Sequence, residues 1–141
     1  MAAELNNKLL AVVRVRGTIG VRRDISETLS RLRLKRVNNM IFIFGTRSNL
    51  GMIKKCNDFI TYGEVDQALV EKVLSKKLVK VGREDLLAMA SGKKVVKDVV
   101  ALPIRLHPPT HGYESTKRAY SVKGSLGYRG AAIGKLISRM S

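Results

Sequence analysis

Residues 105–129 concentrate side chains suited to holding an anion. Arg105, His107, His111, Lys117, Arg118, Lys123 and Arg129 are interleaved with Tyr113, Tyr120 and Tyr128, and Glu114 is the only acid among them. Arg and Lys neutralise phosphates, and Tyr offers both a ring face and a hydroxyl. Neighbouring glycines let a backbone come close enough for its N–H groups to donate. A second cluster, Arg31, Arg33, Lys35 and Arg36, runs straight into Asn38 and Asn39. Cations at a helix C-terminus complement its dipole, but four within six residues exceed that need and point to a polyanion. Arg14, Arg16, Thr18, Arg22 and Arg23 flank an early turn. Arg47 and Asn49 stand where a helix begins and its free N–H groups suit an anion. Lys54, Lys55 and Lys135 complete the candidate set. Taken singly, each is also what an ordinary solvated surface contains.

Other chemistries find little support. His107 and His111 are four apart, but Pro108 and Pro109 between them exclude the helical pairing a zinc site would use. The run Gly130 to Leu136 is one residue short of a phosphate loop and lacks its metal-binding hydroxyl. Gly124, Gly127 and Gly130 do not make a dinucleotide fingerprint. Eleven acids, mostly at caps or in helices, leave few candidates for general acid–base work. No catalytic residue, metal or cofactor is expected.

The charge of the whole chain agrees with an anionic partner. Twenty-seven Lys and Arg against eleven Asp and Glu give +16 on 141 residues. The excess lies at the two ends: net +8 over residues 1–63, +2 over 64–101 and +6 over 102–141. Such a surplus repels itself unless a polyanion neutralises it, and a phosphate backbone is the obvious one. There is no Trp, and aromatics are only 5%, too few for a reader of splayed single strands. Recognition by phosphate and shape is the expectation. No apolar run approaches the ~20 residues of a membrane span. The first eight residues do not read as a secretory signal. A single cysteine, Cys56, fits a reducing cytoplasm.

These residues need elements to position them, and 45% apolar content allows a real core. Val13 and Val15 alternate with Arg14 and Arg16, predicting a strand with one wet face. Asp24 and Glu27 have the spacing of a capping box, and Ile25, Leu29 and Leu32 recur on one helical face. Residues 40–44 read as a buried strand. Ser48 or Asn49 is expected to cap a helix running to about Asn57. Residues 59–62 predict a third strand, ended by Gly63. Helices follow from Asp66 and over Arg83–Ala90, the latter closed by Gly92; Val95–Val100 is strand or helix. The segment 103–130 reads as a long basic loop, and 131–140 as a short amphipathic helix with Ile133, Leu136, Ile137 and Met140 on one side. The division is a β-α-β-α-β core over residues 1–63 and a mainly helical extension over 64–141.

The run Val13-Arg14-Val15-Arg16-Gly17-Thr18-Ile19-Gly20, then Thr28 through Ile41 with Leu32, Leu34, Arg36 and Asn39 in register, resembles the universal L-thirty family of large-subunit ribosomal proteins. The pattern continues through Met52-Ile53 to Phe59-Ile60; Cys56 stands where a small aliphatic residue is expected. The continuation through Asp66-Gln67-Ala68-Leu69 and Leu106-His107-Pro108-Pro109 is similar to the archaeal member, related to the eukaryotic L-seven proteins. The resemblance implies an α+β fold, ferredoxin-like in style, with a small antiparallel sheet. It also implies binding to large-subunit ribosomal RNA near the central protuberance and its small ribosomal RNA, beside neighbouring ribosomal proteins. A structural, non-enzymatic role is expected. A free-standing RNA-binding regulator is the alternative, and a small RNA-modifying enzyme would need a pocket or acid–base pair that the sequence lacks.

Overall fold

All six residues of the first strand, β1 (Leu9–Arg14), are buried. A strand alternates its side chains between faces, so burial along its whole length requires cover on both sides of the sheet. The structure, a computed structural model, describes residues 8–17, 19–76, 104–113 and 115–140. It supplies that cover with four helices: α1 (Arg23–Arg31), α2 (Arg47–Lys55), α3 (Gln67–Lys76) and α4 (Ile133–Met140). The other strands are β2 (Asn39–Phe44), β3 (Ile60–Glu64), β4 (Ile104–Arg105), β5 (Ser115–Ala119) and β6 (Gly124–Tyr128), in the order β4-β2-β1-β3-β6-β5.

One face carries Leu10 and Val12 against Leu29, Leu50 and Ile53 of α1 and α2, with Leu32, Leu34, Cys56 and Ile60. The opposite face carries Leu9, Ala11, Val13, Met40 and Phe42. It is covered by Val70 and Val73 of α3 and by Ile133, Leu136, Ile137 and Met140 of α4. The α4 stripe is the one its spacing predicts.

β2, β1 and β3 form an antiparallel sheet: Val13 lies opposite Met40, and Arg14 opposite Ile60. The segment 103–130, expected to be a loop, instead adds strands to both edges. β4 pairs antiparallel with β2, placing Arg105 opposite Asn39. β6 runs parallel to β3, with Thr61 opposite Gly127. β5 pairs irregularly with β6. The cause is β6, where Gly124, Ser125, Leu126 and Gly127 are all buried. Glycine and serine bury as well as aliphatics when a backbone is close-packed, and apolar periodicity is blind to that. The boundary at residue 63 therefore falls inside one continuous sheet.

Local signals were read with mixed success. α1 is capped at Arg22 with no side-chain bond, so the Asp24–Glu27 capping box does not form. Asp24 lies in the first turn, facing the dipole, and Glu27 pairs with Arg31 at 2.9 Å. Thr46, not Ser48 or Asn49, caps α2 by accepting from the Asn49 N–H. Gly63 lies within β3 and does not end it. A Cβ there would strike the Gly130 carbonyl and approach Ile133 Cγ2 to 2.8 Å, so the glycine marks where the chain leading into α4 crosses the sheet. The expected helix over 83–90 with its Gly92 cap, and the segment 95–100, lie outside the described residues.

Candidate nucleic-acid interface

Strand pairing gathers several candidate cations at one end of the sheet. The end of β1 and the starts of β2 and β3 meet there, tied by Asn38 N–H to the Arg14 carbonyl and Val15 N–H to the Phe59 carbonyl. β4 runs out past the same end, with Leu106 N–H donating to Asn38 and His107 N–H to Met140. Arg16, Arg33, Lys35, Arg36, Arg105 and His107 thus belong to one rim, with Lys54 and Lys55 closing α2 beside it. All but Arg16, which is half-buried, are exposed. Among the described residues, none of these side chains pairs with a carboxylate.

Arg33 shows how the rim is built. Leu34 N–H donates to the Leu29 carbonyl and Arg33 N–H to Ser30, which is a Schellman ending of α1. Leu29 and Leu34 supply the apolar contact of that motif and are buried. The residue after the C-cap must then be left-handed, a position glycine favours, yet Arg33 occupies it at φ 61°. Asn38, His111 and Lys123 also have positive φ, at 65°, 67° and 61°. Arg33 and Lys123 therefore hold a backbone conformation that disfavours their side chains, while Asn38 and His111 belong to residue types that adopt it more readily.

Arg14 corrects the reading of a wet strand face. It is 3% exposed. Its Nε donates to the Arg16 carbonyl at 2.9 Å, Nη1 to Leu34 at 2.6 Å and Nη2 to Gly17 at 3.2 Å. Three charge-assisted bonds offset the cost of burying the cation, although burial still lowers its pKa. Arg14 is thus withdrawn from any phosphate and ties the 15–17 turn to the segment after α1. Asn39 is likewise buried in β2. Arg16 lies over the Phe59 ring at 5.2 Å, so its guanidinium is held at the surface.

The aromatics of residues 105–129 mostly turn inward. The Tyr113 hydroxyl donates to Asn38 Oδ1 at 2.7 Å, and burial pushes its pKa up to about 12. Tyr128 packs on Tyr62 and donates to Glu64. Arg129 donates from Nε to Thr61 Oγ1 at 2.8 Å and from Nη2 to the Ser125 carbonyl at 3.1 Å, and it stacks on Tyr120 at 4.9 Å. These are fastenings of the fold. Lys117, Arg118, Lys123 and His111 remain exposed, as does Tyr120 at 38%.

Other candidates are dispersed. Arg47 and half-buried Asn49 follow β2 at the opposite end of the sheet, where Asn49 Nδ2 donates to the Phe44 carbonyl. Lys135 lines a groove of about 590 Å³ with Glu64 and Asp66. Arg22 pairs with Asp24, and Arg31 with Glu27. Arg23 is exposed on the first turn of α1. Thr18 lies outside the described residues. The sequence reading missed Arg139, whose guanidinium fastens the Thr110 and Gly112 carbonyls. It also missed Val37, exposed among Arg36 and Asn38 and out of phase with buried Leu32 and Leu34. Among the described residues, no group of three His, Cys, Asp or Glu could hold a metal ion. Nor is any described helix long and apolar enough to cross a membrane.

Known proteins resemble this chain over nearly its full length. The sequence profile of the family described as ribosomal protein L30p/L7e matches residues 10–60. The large ribosomal subunit protein uL30 of Methanoregula boonei is 37% identical, the match covering 94% of this chain and 99% of the relative. The protein of the same name from Methanococcus maripaludis is 42% identical over 92% and 97%. That of Thermoplasma acidophilum is 35% identical over 94% and 92%.

Proposed function

The chain belongs to the ribosomal protein L30p/L7e family as an archaeal member, and from that premise we propose that the basic end of its sheet is the surface that grips ribosomal RNA. As a family member it is a structural constituent of the large ribosomal subunit and not an enzyme, with ribosomal RNA and ribosomal proteins as its partners. The finer reading gives roles to the exposed side chains of the rim and of β5. Arg33, Lys35, Arg36, Lys54, Lys55, Arg105 and His107 meet phosphates at one end of the sheet. Lys117, Arg118 and Lys123 meet a further RNA segment from β5 and the turn after it. The buried scaffold fixes their spacing, so selectivity comes from RNA shape more than from a base code. The site in the subunit is the central protuberance beside the small ribosomal RNA, in the cytoplasm where ribosomes work.

The observation that carries this reading is the set of exposed rim cations that have no carboxylate partner among the described residues. Charges left unpaired on a protein of +16 are available to displace counterions. Binding to transcripts of large-subunit ribosomal RNA tests it. If about 6–10 phosphates are neutralised, affinity falls by about 10³–10⁵ between 50 and 200 mM monovalent salt. Substituting Arg33, Lys35 and Arg36 with Gln reduces that slope by about 0.7–0.9 per lost contact. A flat salt response rejects the electrostatic grip.

A further inference from the structure

Two exposed apolar side chains stand at the basic end of the sheet, and neither belongs to the core. Ile19 is 97% exposed at the tip of the turn after β1. Val37 is 40% exposed on the segment entering β2, and its Cγ2 lies 3.9 Å from where a Cβ on Gly17 would be. A lone exposed aliphatic is ordinary, but the mounting of this pair is not. Buried Arg14 donates to the Gly17 carbonyl from one side and the Leu34 carbonyl from the other, while the Asn38 N–H donates to the Arg14 carbonyl. Both segments are thus anchored to one residue of the central strand. Their surroundings are cationic: Arg16, Arg22 and Arg23 flank Ile19, and Lys35 and Arg36 precede Val37.

We propose that Ile19 and Val37 form an apolar contact that seats against ribose and nucleobase surface of the bound RNA, inside the ring of phosphate-binding cations. The occupant follows from charge complementarity. A ring of cations selects a polyanion, and among polyanions a nucleic acid also presents sugar and base faces that an aliphatic side chain can dehydrate. Wide, shallow RNA minor grooves and unstacked loops expose such faces, and apolar side chains beside basic residues are used in the same way against the base steps of DNA. This inference rests on the RNA-binding reading of the basic rim. The two residues add shape-dependent affinity that does not vary with salt.

The experiment compares Ile19→Ser, Val37→Ser and their double variant with Arg36→Gln, using the same ribosomal RNA transcripts across 50–200 mM salt. Melting curves accompany each variant, since substitutions at exposed sites leave folding nearly unchanged. The double variant is expected to bind about tenfold more weakly, in line with the loss of buried aliphatic surface, with an unaltered salt slope. Ile19→Val retains most of the affinity. Arg36→Gln instead lowers the slope by about 0.7–0.9. Wild-type affinity in the serine variants alongside a flattened slope in Arg36→Gln overturns the apolar contact and leaves the RNA reading standing. A changed slope in the serine variants also overturns it, because the residues would then act by moving cations. If no variant changes RNA binding, both readings fall. Vesicles rich in phosphatidylserine form a separate arm: loss of vesicle binding by Ile19→Ser with RNA binding intact assigns the pair to lipid and overturns the proposal.

Discussion

Two basic stretches of this chain have similar composition and opposite fates. Residues 31–36 end a helix and hold their cations in the open; Arg33, Lys35 and Arg36 have no carboxylate partner among the described residues. Residues 105–129 carry more cations and three tyrosines, but Tyr113, Tyr128 and Arg129 are turned into hydrogen bonds to Asn38, Glu64 and Thr61 that fasten this stretch to the sheet. The first stretch is an exposed basic surface carried by a finished fold, the one proposed above to grip RNA. The second is partly the means by which the fold is finished. Arg and Tyr serve either purpose because each joins a long apolar body to a polar tip. Composition cannot separate a grip on RNA from a grip on the protein itself.

The largest test removes the second stretch. A fragment of residues 1–63 loses α3, β4, β6 and α4, leaving Leu9, Val13, Met40 and Phe42 facing water. Each such side chain contributes about 1.5–3 kcal/mol when buried, so the loss rivals the ~5–15 kcal/mol stability of a whole domain. Circular dichroism of the fragment should show a largely unfolded chain; a cooperative melt would mean that the amino-terminal part is self-sufficient.

Next in size, Arg129→Gln should cost about 1.5–3 kcal/mol, because it breaks the bonds to Thr61 Oγ1 and the Ser125 carbonyl. Arg36→Gln should cost under about 0.5 kcal/mol, as an exposed change. Urea titrations of the two variants decide whether the stretches differ as described. Equal stabilities would erase the contrast.

Arg33→Gly sharpens it from the other side. Relief of a left-handed backbone, about 1–2 kcal/mol, is opposed by glycine's conformational entropy of about 0.5–1 kcal/mol. The variant is expected to be as stable as the parent or up to about 1.5 kcal/mol more so, yet to bind RNA with a shallower salt slope. Loss of stability would show that the Arg33 side chain helps to hold the fold.

A separate effect appears only in alkali. Burial raises Cys56 from 9.0 to about 11 and Tyr113 from 10.0 to about 12. Both groups hold their protons more tightly when folded, so their stabilising contribution is complete below pH 9. It declines as the unfolded chain deprotonates, over pH 9–11 for Cys56 and 10–12 for Tyr113. Melting curves across that range should show Cys56→Ala removing the lower part of the decline and Tyr113→Phe the upper.

Much of the fold was legible where apolar residues keep a period. β2, the stripe of α4 and the helix after Asp66 follow directly from spacing. Family likeness and the surplus of cations together pointed to RNA. What escaped was everything set by contact at a distance. Gly63 reads as a stop but is a crossing point, and Gly124 to Gly127 read as a loop but form a buried strand. Arg14 alternates with valines as a solvent-facing residue should, yet three backbone carbonyls draw it inside.

The sequence by itself determined the charge, the periodic elements and the kind of partner, because these are sums or local repeats along the chain. Only the tertiary structure decided which cations stay exposed and which are drawn into the fold. A guanidinium goes inward where acceptors converge to satisfy it: three backbone carbonyls around Arg14, and the Thr61 hydroxyl with the Ser125 carbonyl around Arg129. Each convergence includes a partner far along the chain, Leu34 at 20 residues from Arg14 and Thr61 at 68 from Arg129, separations that no local pattern records.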